Sequence, residues 1–311
     1  MKILIVGRTK ILLITCDLLI QNGFQIIGII TCRASEESIV DEVDFYNYSK
    51  INNIPFLKTQ KINSDESLKF INNFGEIDIS LSMNWIGVIG EKFISKFRLG
   101  VLNAHGGDLP RYRGNACQAW AIINGEKEIG LCIHKMVADE LDSGDILLKK
   151  KYPINISTRI GDVYKWFDSD IPQMFLQAVI LLKDNPDYIF ETQSKNPKDT
   201  LRCYPRMPED GKIDWSNTAE SIVRLVNASS EPYSGAFCVD RVGNIIKVWR
   251  SELVEDIENW VGVPGQIVRF LSSGELVLLT GKGKIKILEI EFNGIRSVPG
   301  AFFKSLRTRF Y

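Results

Sequence analysis

Short apolar, β-branched runs alternate with amphipathic stretches through the first 184 residues. Ile3–Val6 is the first such run and reads as a buried parallel strand. Residues 10–22 carry helical periodicity and stop at Gly23, a residue that ends helices without steric cost. Phe24–Ile30, Ile54–Leu57 and Ile77–Leu81 predict further strands, and Tyr46–Ile51 and 65–73 predict helices between them. The pattern continues through Leu99–Asn103, a helix around 116–124, apolar stretches at 129–136 and 146–148, and a long helical pattern over 158–184. Strand and helix in turn predict an α/β domain: a doubly wound parallel sheet covered on both faces.

Beyond this the texture changes. Glu191–Thr200 is polar and holds Asn196-Pro197, which reads as a linker. One helix is expected at 217–228. The remainder is short alternating strands punctuated by glycine: Gly235–Val239, Ile245–Val248, Gly265–Phe270, Glu275–Thr280 and Lys284–Glu291. These predict a small antiparallel barrel or sandwich. Lys282, Lys284 and Lys286 alternate with Ile285 and Ile287 and read as the solvated face of a strand. The expected division is a catalytic domain over 1–190, a linker over 191–205 and a smaller C-terminal β domain over 206–311.

Composition narrows the function classes. Formal net charge is zero and the pI is near 6.8, so no long-range field draws the chain to nucleic acid or anionic membrane. No segment approaches 18 uninterrupted apolar residues, and the opening apolar run stops at Gly7 and Arg8, too short for a signal peptide. A cytoplasmic location is the expectation. The six cysteines form no CxxC pair and read as small buried hydrophobes in a reducing compartment. With only His105 and His134, material for a metal site is poor, and none is expected. Gly7 is followed by Arg-Thr-Lys-Ile rather than GxGxxG, which argues against a dinucleotide site at the first turn.

Two segments carry candidate chemistry. Asn103-Ala-His105-Gly-Gly-Asp-Leu-Pro-Arg-Tyr-Arg-Gly114 follows a predicted strand, and ligands of open α/β sheets sit beyond the carboxyl ends of strands. Asn103 and His105 share a face if that strand runs through them. Asp142-Ser-Gly-Asp145 lies between two apolar runs and alone is good turn chemistry. His134, in Cys132–Met136 on an apparent strand, reads as a structural side chain.

Together these segments resemble the N10-formyltetrahydrofolate-dependent formyltransferases. Leu109-Pro-Arg-Tyr-Arg-Gly114, Trp120-Ala-Ile122, Asn124-Gly-Glu126 and Asp142-Ser-Gly-Asp-Ile146 match that family's motifs in order over about 45 residues. The resemblance implies a Rossmann-like domain followed by a barrel-like (OB-like) one. It also implies N10-formyltetrahydrofolate as co-substrate and Asn103, His105 and Asp142 as the catalytic trio. Such a trio suits attack of an amine on a formyl carbon. Asn103 would donate to the developing oxyanion, while His105 relays a proton and Asp142 orients the imidazole; the residues leave open whether His105 or Asp142 takes the proton. The folate pocket is expected at Met83, Asn84, Trp85, Ile86, Gly87, Val88 and Ile89, with Asp139. The substrate side is expected at Arg8, Gly106, Arg113 and Arg206.

The acceptor amine divides the family. Methionyl-tRNA formyltransferases carry a basic insertion after the second strand. Here that segment holds Arg33 against Glu36, Glu37, Asp41, Glu42 and Asp44, which repels phosphate. Cys203–Gly211, Ile213-Asp-Trp215 and Glu231–Phe237 resemble stretches of the branch that acts on UDP-amino sugars, with Ser234 where proline is frequent there. The expected partner is therefore a nucleotide-linked amino-deoxy sugar used for surface polysaccharide, with no nucleic acid and no membrane. Related sugar enzymes pair, so a homodimer is expected. Methionyl-tRNA formylation is the alternative. A binding scaffold without turnover is a reading from another class. A glycinamide ribonucleotide acceptor is opposed by the extra domain. Hydrolysis of the formyl donor is opposed by the lack of length for the added domain such proteins carry.

Overall fold

The computed structural model of the chain describes residues 1–35, 38–255 and 258–311. The chain divides into two compact units that alternate along the sequence. Residues 1–114, 130–152 and 165–203 form the first, and residues 115–129, 153–164 and 204–311 form the second.

Up to residue 203 the elements are β1 (Lys2–Gly7), α1 (Lys10–Gln21), β2 (Gln25–Thr31), α2 (Glu42–Ile51), β3 (Phe56–Lys58), α3 (Asp65–Asn72), β4 (Ile79–Met83), α4 (Glu91–Ile94), β5 (Val101–His105), β6 (Arg113–Gly114), α5 (Cys117–Asn124), β7 (Glu128–Lys135), β8 (Ile146–Pro153), α6 (Ile160–Asp184) and β9 (Arg202–Cys203). A seven-stranded sheet runs in the order β3-β2-β1-β4-β5-β7-β8. Strands β1 to β5 pair in parallel. Strand β7 lies antiparallel to β5, so the sheet is mixed and not the all-parallel sheet expected. An antiparallel strand toward the edge of a parallel sheet is common in α/β folds, and its direction leaves no trace in periodicity.

The sheet is buried on both faces. Leu4 and Val6 join Ile27, Ile30, Ile71, Phe93 and Val101 in one core cluster. Ile3 and Ile5 alternate with them and are equally inaccessible, which the period-2 pleat assigns to the other face. Helix α2 begins at Glu42, earlier than the periodicity suggested, because a capping box closes its start. The Asp41 carboxylate accepts from Val43 N and Asp44 N, while Asp44 accepts from Asp41 N. Glu36 and Glu37, part of the acidic segment noted above, lie outside the described residues. The polar stretch 191–205 is structured: Glu191 bridges Ile146, Gln193 is buried, and β9 pairs in parallel with β6.

In the second unit, α5 packs on α7 (Ala219–Ser229). Strands β10 (Ala236–Val239), β11 (Ile245–Leu253), β12 (Ile267–Phe270), β13 (Leu276–Leu279), β14 (Lys284–Phe292) and β15 (Ile295–Ser297) follow. They form an antiparallel sheet in the order β10-β11-β14-β13-β12, with β15 also on β14. Among the described residues no pairing joins β10 to β12, so the expected barrel is seen as an open sheet. Thr218 caps α7 by accepting from Ser221 N. The helix lays Ile222, Val223 and Val226 on Ile246, Val248, Ile285, Ile287 and Ile290, with Trp215 and Phe310 in the same core. Each such side chain contributes about 1.5–3 kcal/mol by leaving water. No described helix is long and apolar enough to cross a membrane.

Candidate active site

Strand β5 ends at His105, and its pleat sends Asn103 and His105 to the same side. Two neighbours bring further chemistry to this end. On one flank Ser82 of β4 is in register with Asn103, so the segment from Met83 onward leaves the sheet beside the Asn-His pair. On the other flank antiparallel β7 sets His134 opposite Asn103. The loop from β7 to β8 then delivers Asp142, whose backbone is left-handed at φ 51°, a conformation that aspartate tolerates better than most residues. Two glycines make this packing possible. A Cβ on Gly144 would collide with the Lys135 carbonyl oxygen, and one on Gly107 would collide with His105 Nε2 and the Tyr112 carbonyl oxygen.

The Asp142 carboxylate sits between the two histidines. His105 Nδ1 is 3.4 Å from Asp142 Oδ2, and His134 Nε2 is 3.5 Å from Asp142 Oδ1. Gly114 N donates to Asp142 Oδ2 at 2.9 Å. The outer nitrogen of each ring meets a carbonyl: His105 Nε2 lies 2.6 Å from Tyr112 O, and His134 Nδ1 lies 3.0 Å from Lys135 O. A carbonyl only accepts, so each outer nitrogen carries the proton in a neutral ring. The inner nitrogens, His105 Nδ1 and His134 Nε2, are then both bare and face the carboxylate. Asn103 Nδ2 is 3.2 Å from His134 Nε2 and donates to it. At rest the cluster is rich in acceptors and short of protons.

Burial sets the charges. Desolvation drives the His105 imidazole toward its neutral form, and the Asp142 carboxylate only partly opposes this, so the ring titrates below the usual histidine range. Desolvation pushes the Asp142 carboxyl up, but His105, His134 and the Gly114 N–H outweigh it and pull it to about 2. Near neutrality the pair is therefore an ionised carboxylate beside a neutral ring.

Asn103, His105 and Asp142 are thus brought together. Arg113 stands behind them, donating through Nε and Nη2 to Gln193 Oε1 at 3.2 and 2.7 Å. Gln193 Nε2 in turn donates to Asp142 O and Gly144 O at 3.0 and 2.6 Å, which fastens the aspartate loop. Gly106 follows His105 and is partly exposed, and Asp139 is exposed with φ 60°. In the expected folate segment Ile89 is buried, Trp85 packs against the sheet core, and Ile86 and Val88 are exposed at 42% and 49%. Asn84 is left-handed at φ 54°, and Arg8 holds this segment by donating to Asn84 O and Arg33 O at 3.0 and 2.9 Å. Arg206 belongs to the second unit. There its guanidinium donates to Ala228 O, Ser229 Oγ and Asp210 O, at 3.0, 3.0 and 3.3 Å. Arg8, Arg113 and Arg206, the three arginines expected on the substrate side, are thus all engaged by the protein itself.

Sequence reasoning missed His134 and Gln193. Periodicity marked His134 as buried in a strand, but its approach to Asn103 follows from the β5–β7 register, which only the fold reveals. Gln193 lay in the stretch read as linker, and its burial at 4% exposed is the signal that corrects it. No group of His, Cys, Asp and Glu among the described residues has the arrangement of a metal site.

Comparison with known proteins agrees with this architecture. A family model described as formyl transferase matches residues 1–179, and one described as the formyl transferase C-terminal domain matches residues 206–307. The chain is 28% identical over 305 residues to the bifunctional polymyxin resistance protein ArnA of Wigglesworthia glossinidia brevipalpis, covering 94% of this chain and 43% of that longer protein. It is also 28% identical over 301 residues to a methionyl-tRNA formyltransferase of Ruminiclostridium cellulolyticum, covering 94% and 92% of the two chains. Among solved structures, an N-formyltransferase from Helicobacter canadensis, in complex with folinic acid and dTDP-3-aminofucose, superposes with a TM-score of 0.66 at 18% identity. The match covers 92% of this chain and 98% of that one. At that identity the likeness is one of fold.

Proposed function

This chain belongs to the formyl transferase family, and we propose that it carries a formyl group from N10-formyltetrahydrofolate to the primary amine of a nucleotide-linked amino-deoxy sugar. The observation that carries the reaction is the convergence of Asn103, His105 and Asp142 around a bare ring nitrogen. The amine attacks the formyl carbon, forming a C–N bond and a tetrahedral oxyanion. Asn103 keeps a second Nδ2–H after the one given to His134, and this donor is suited to the oxyanion. His105 Nδ1 takes the ammonium proton of the adduct. The imidazolium is then held at both ends, by Tyr112 O and by Asp142 Oδ2. Collapse of the adduct breaks the bond to N10, and the proton passes from His105 to that nitrogen. Asp142 stabilises the cation and stays ionised, as its low pKa implies. The exposed Ile86 and Val88, on backbone that leaves the sheet beside Asn103, suit the flat face of the folate ring.

The acceptor rests on two features. The segment after β2 offers Asp41, Glu42 and Asp44 and no cluster of cations, a poor surface for tRNA phosphates. The stretches 203–211 and 231–237 resemble those of enzymes that act on amino-sugar nucleotides. Methionyl-tRNA is the second reading, favoured by relatives of that name that match along nearly their whole length. The deciding experiment offers N10-formyltetrahydrofolate with UDP-, dTDP- and GDP-linked amino sugars, and separately with charged initiator tRNA, and reads products by mass spectrometry. A gain of one formyl mass on a sugar nucleotide is expected. Formylation of the tRNA alone would overturn the acceptor while leaving the chemistry intact.

A further inference from the structure

We propose that His134 is a positioning residue whose lone pair fixes the amide of Asn103 in its productive orientation. The proposal rests on the reading of Asn103 as the oxyanion donor. An asparagine amide has two nearly isosteric faces, one donating and one accepting. Nothing in the oxyanion's chemistry tolerates the wrong one, because a carbonyl oxygen turned toward a developing negative charge repels it. The chain needs a device that selects the donor face before the substrate arrives, and His134 supplies it. Its Nδ1 is 3.0 Å from the Lys135 carbonyl oxygen, which accepts only, so the proton sits on Nδ1. Nε2 is then a lone pair, 3.2 Å from Asn103 Nδ2, and that lone pair accepts N–H but rejects a carbonyl oxygen. The tautomer is thus set by the backbone of β7, and the tautomer sets the asparagine.

The packing makes the device rigid. His134 is 1% exposed and stands opposite Asn103 in the β5–β7 register, while Asn103 is only partly buried. Asp142 Oδ1, 3.5 Å from Nε2, is the acceptor that would hold a proton on that nitrogen, so the Nδ1 contact to Lys135 O and the Asn103 donor act against it. Two histidines of opposite tautomer therefore bracket one aspartate. His105 uses its bare nitrogen on the proton, and His134 uses its own on the amide.

The test has two arms. Because the chain has only His105 and His134, imidazole 15N chemical shifts of the free protein at pH 7.5 assign directly once a His105→Gln sample is compared. His134 is expected as the neutral Nδ1–H tautomer; an Nε2–H tautomer or a cation would overturn the proposal, and this arm needs no turnover on any acceptor. The second arm is a kinetic cycle. His134→Leu is expected to lower kcat about 10- to 100-fold, with KM for the formyl donor within about twofold. His134→Gln, whose side-chain oxygen also accepts from Asn103, is expected to recover most of the loss. In an Asn103→Ala background His134→Leu should cost less than about twofold more, because the group it positions is gone. An equal loss in both backgrounds would show that His134 acts only by holding the strand. If no acceptor in the panel turns over, the reaction reading fails, and the tautomer measurement still decides this one.

Discussion

Replacing His105 with Asn lowers kcat for formyl transfer by about 10²–10⁴, the usual worth of a positioned general base. The loss follows from geometry: His105 Nδ1 combines a lone pair with a carboxylate 3.4 Å away that stabilises the cation formed, whereas the lone pair of His134 Nε2 is occupied by Asn103. The substitution also leaves Tyr112 O without its 2.6 Å partner, at a cost to folding of about 1–3 kcal/mol. Asp142→Asn is the cleaner probe. It keeps the shape, but its amide donates to His105 Nδ1 and ties up the lone pair, so a loss within the same range is expected with little change in melting temperature. The pH profile gives a second readout. His105 is pushed below the usual histidine range by burial, and the catalytically competent ring is the neutral one. The wild-type kcat should therefore hold down to below about pH 6.5 and fall as pH drops through the lowered pKa. In Asp142→Asn the charge that favours the imidazolium is gone, so the acid limb of the residual activity should lie lower still. A limb that moves up instead would contradict the assignment of roles.

Asn103→Ala is the second large effect. Loss of one oxyanion donor costs about 10²–10³ in kcat. Asn103 makes its hydrogen bond to His134 at 3.2 Å and is only partly buried, so the fold should lose little. The expected signature is a fall in kcat with KM for the formyl donor nearly constant, since the donor matters in the transition state more than in the bound ground state. A rise in KM with kcat intact would place Asn103 in ground-state binding instead.

Much of the scaffold was legible because burial on both faces of a parallel sheet leaves continuous apolar runs. Ile3–Val6, Ile77–Leu81 and Leu99–Asn103 mark three adjacent central strands. Helix α1 was visible from its periodicity and from Gly23, whose left-handed backbone follows its end. What the chain does not display is direction and register. Strand β7 reads as an apolar stretch whether it runs parallel or antiparallel, and His134 meets Asn103 only because it runs antiparallel. The start of α2 was placed late because its first turn is held by Asp41 and Asp44 rather than by apolar periodicity. The polar stretch before β9 concealed Gln193, since polar composition says nothing of a buried amide that satisfies Arg113 and two carbonyls. Arg206 was expected on the substrate side because sequence cannot show the Ala228 carbonyl and Ser229 hydroxyl near the end of α7 that its guanidinium engages.

The most direct test of the account is the ratio of N-formylated acceptor to tetrahydrofolate produced in one reaction with N10-formyltetrahydrofolate and an amino-sugar nucleotide. A one-to-one ratio, lost together with turnover in Asp142→Asn, is the predicted result. Tetrahydrofolate accumulating with free formate and no formylated amine would contradict it, since the same trio would then be serving water.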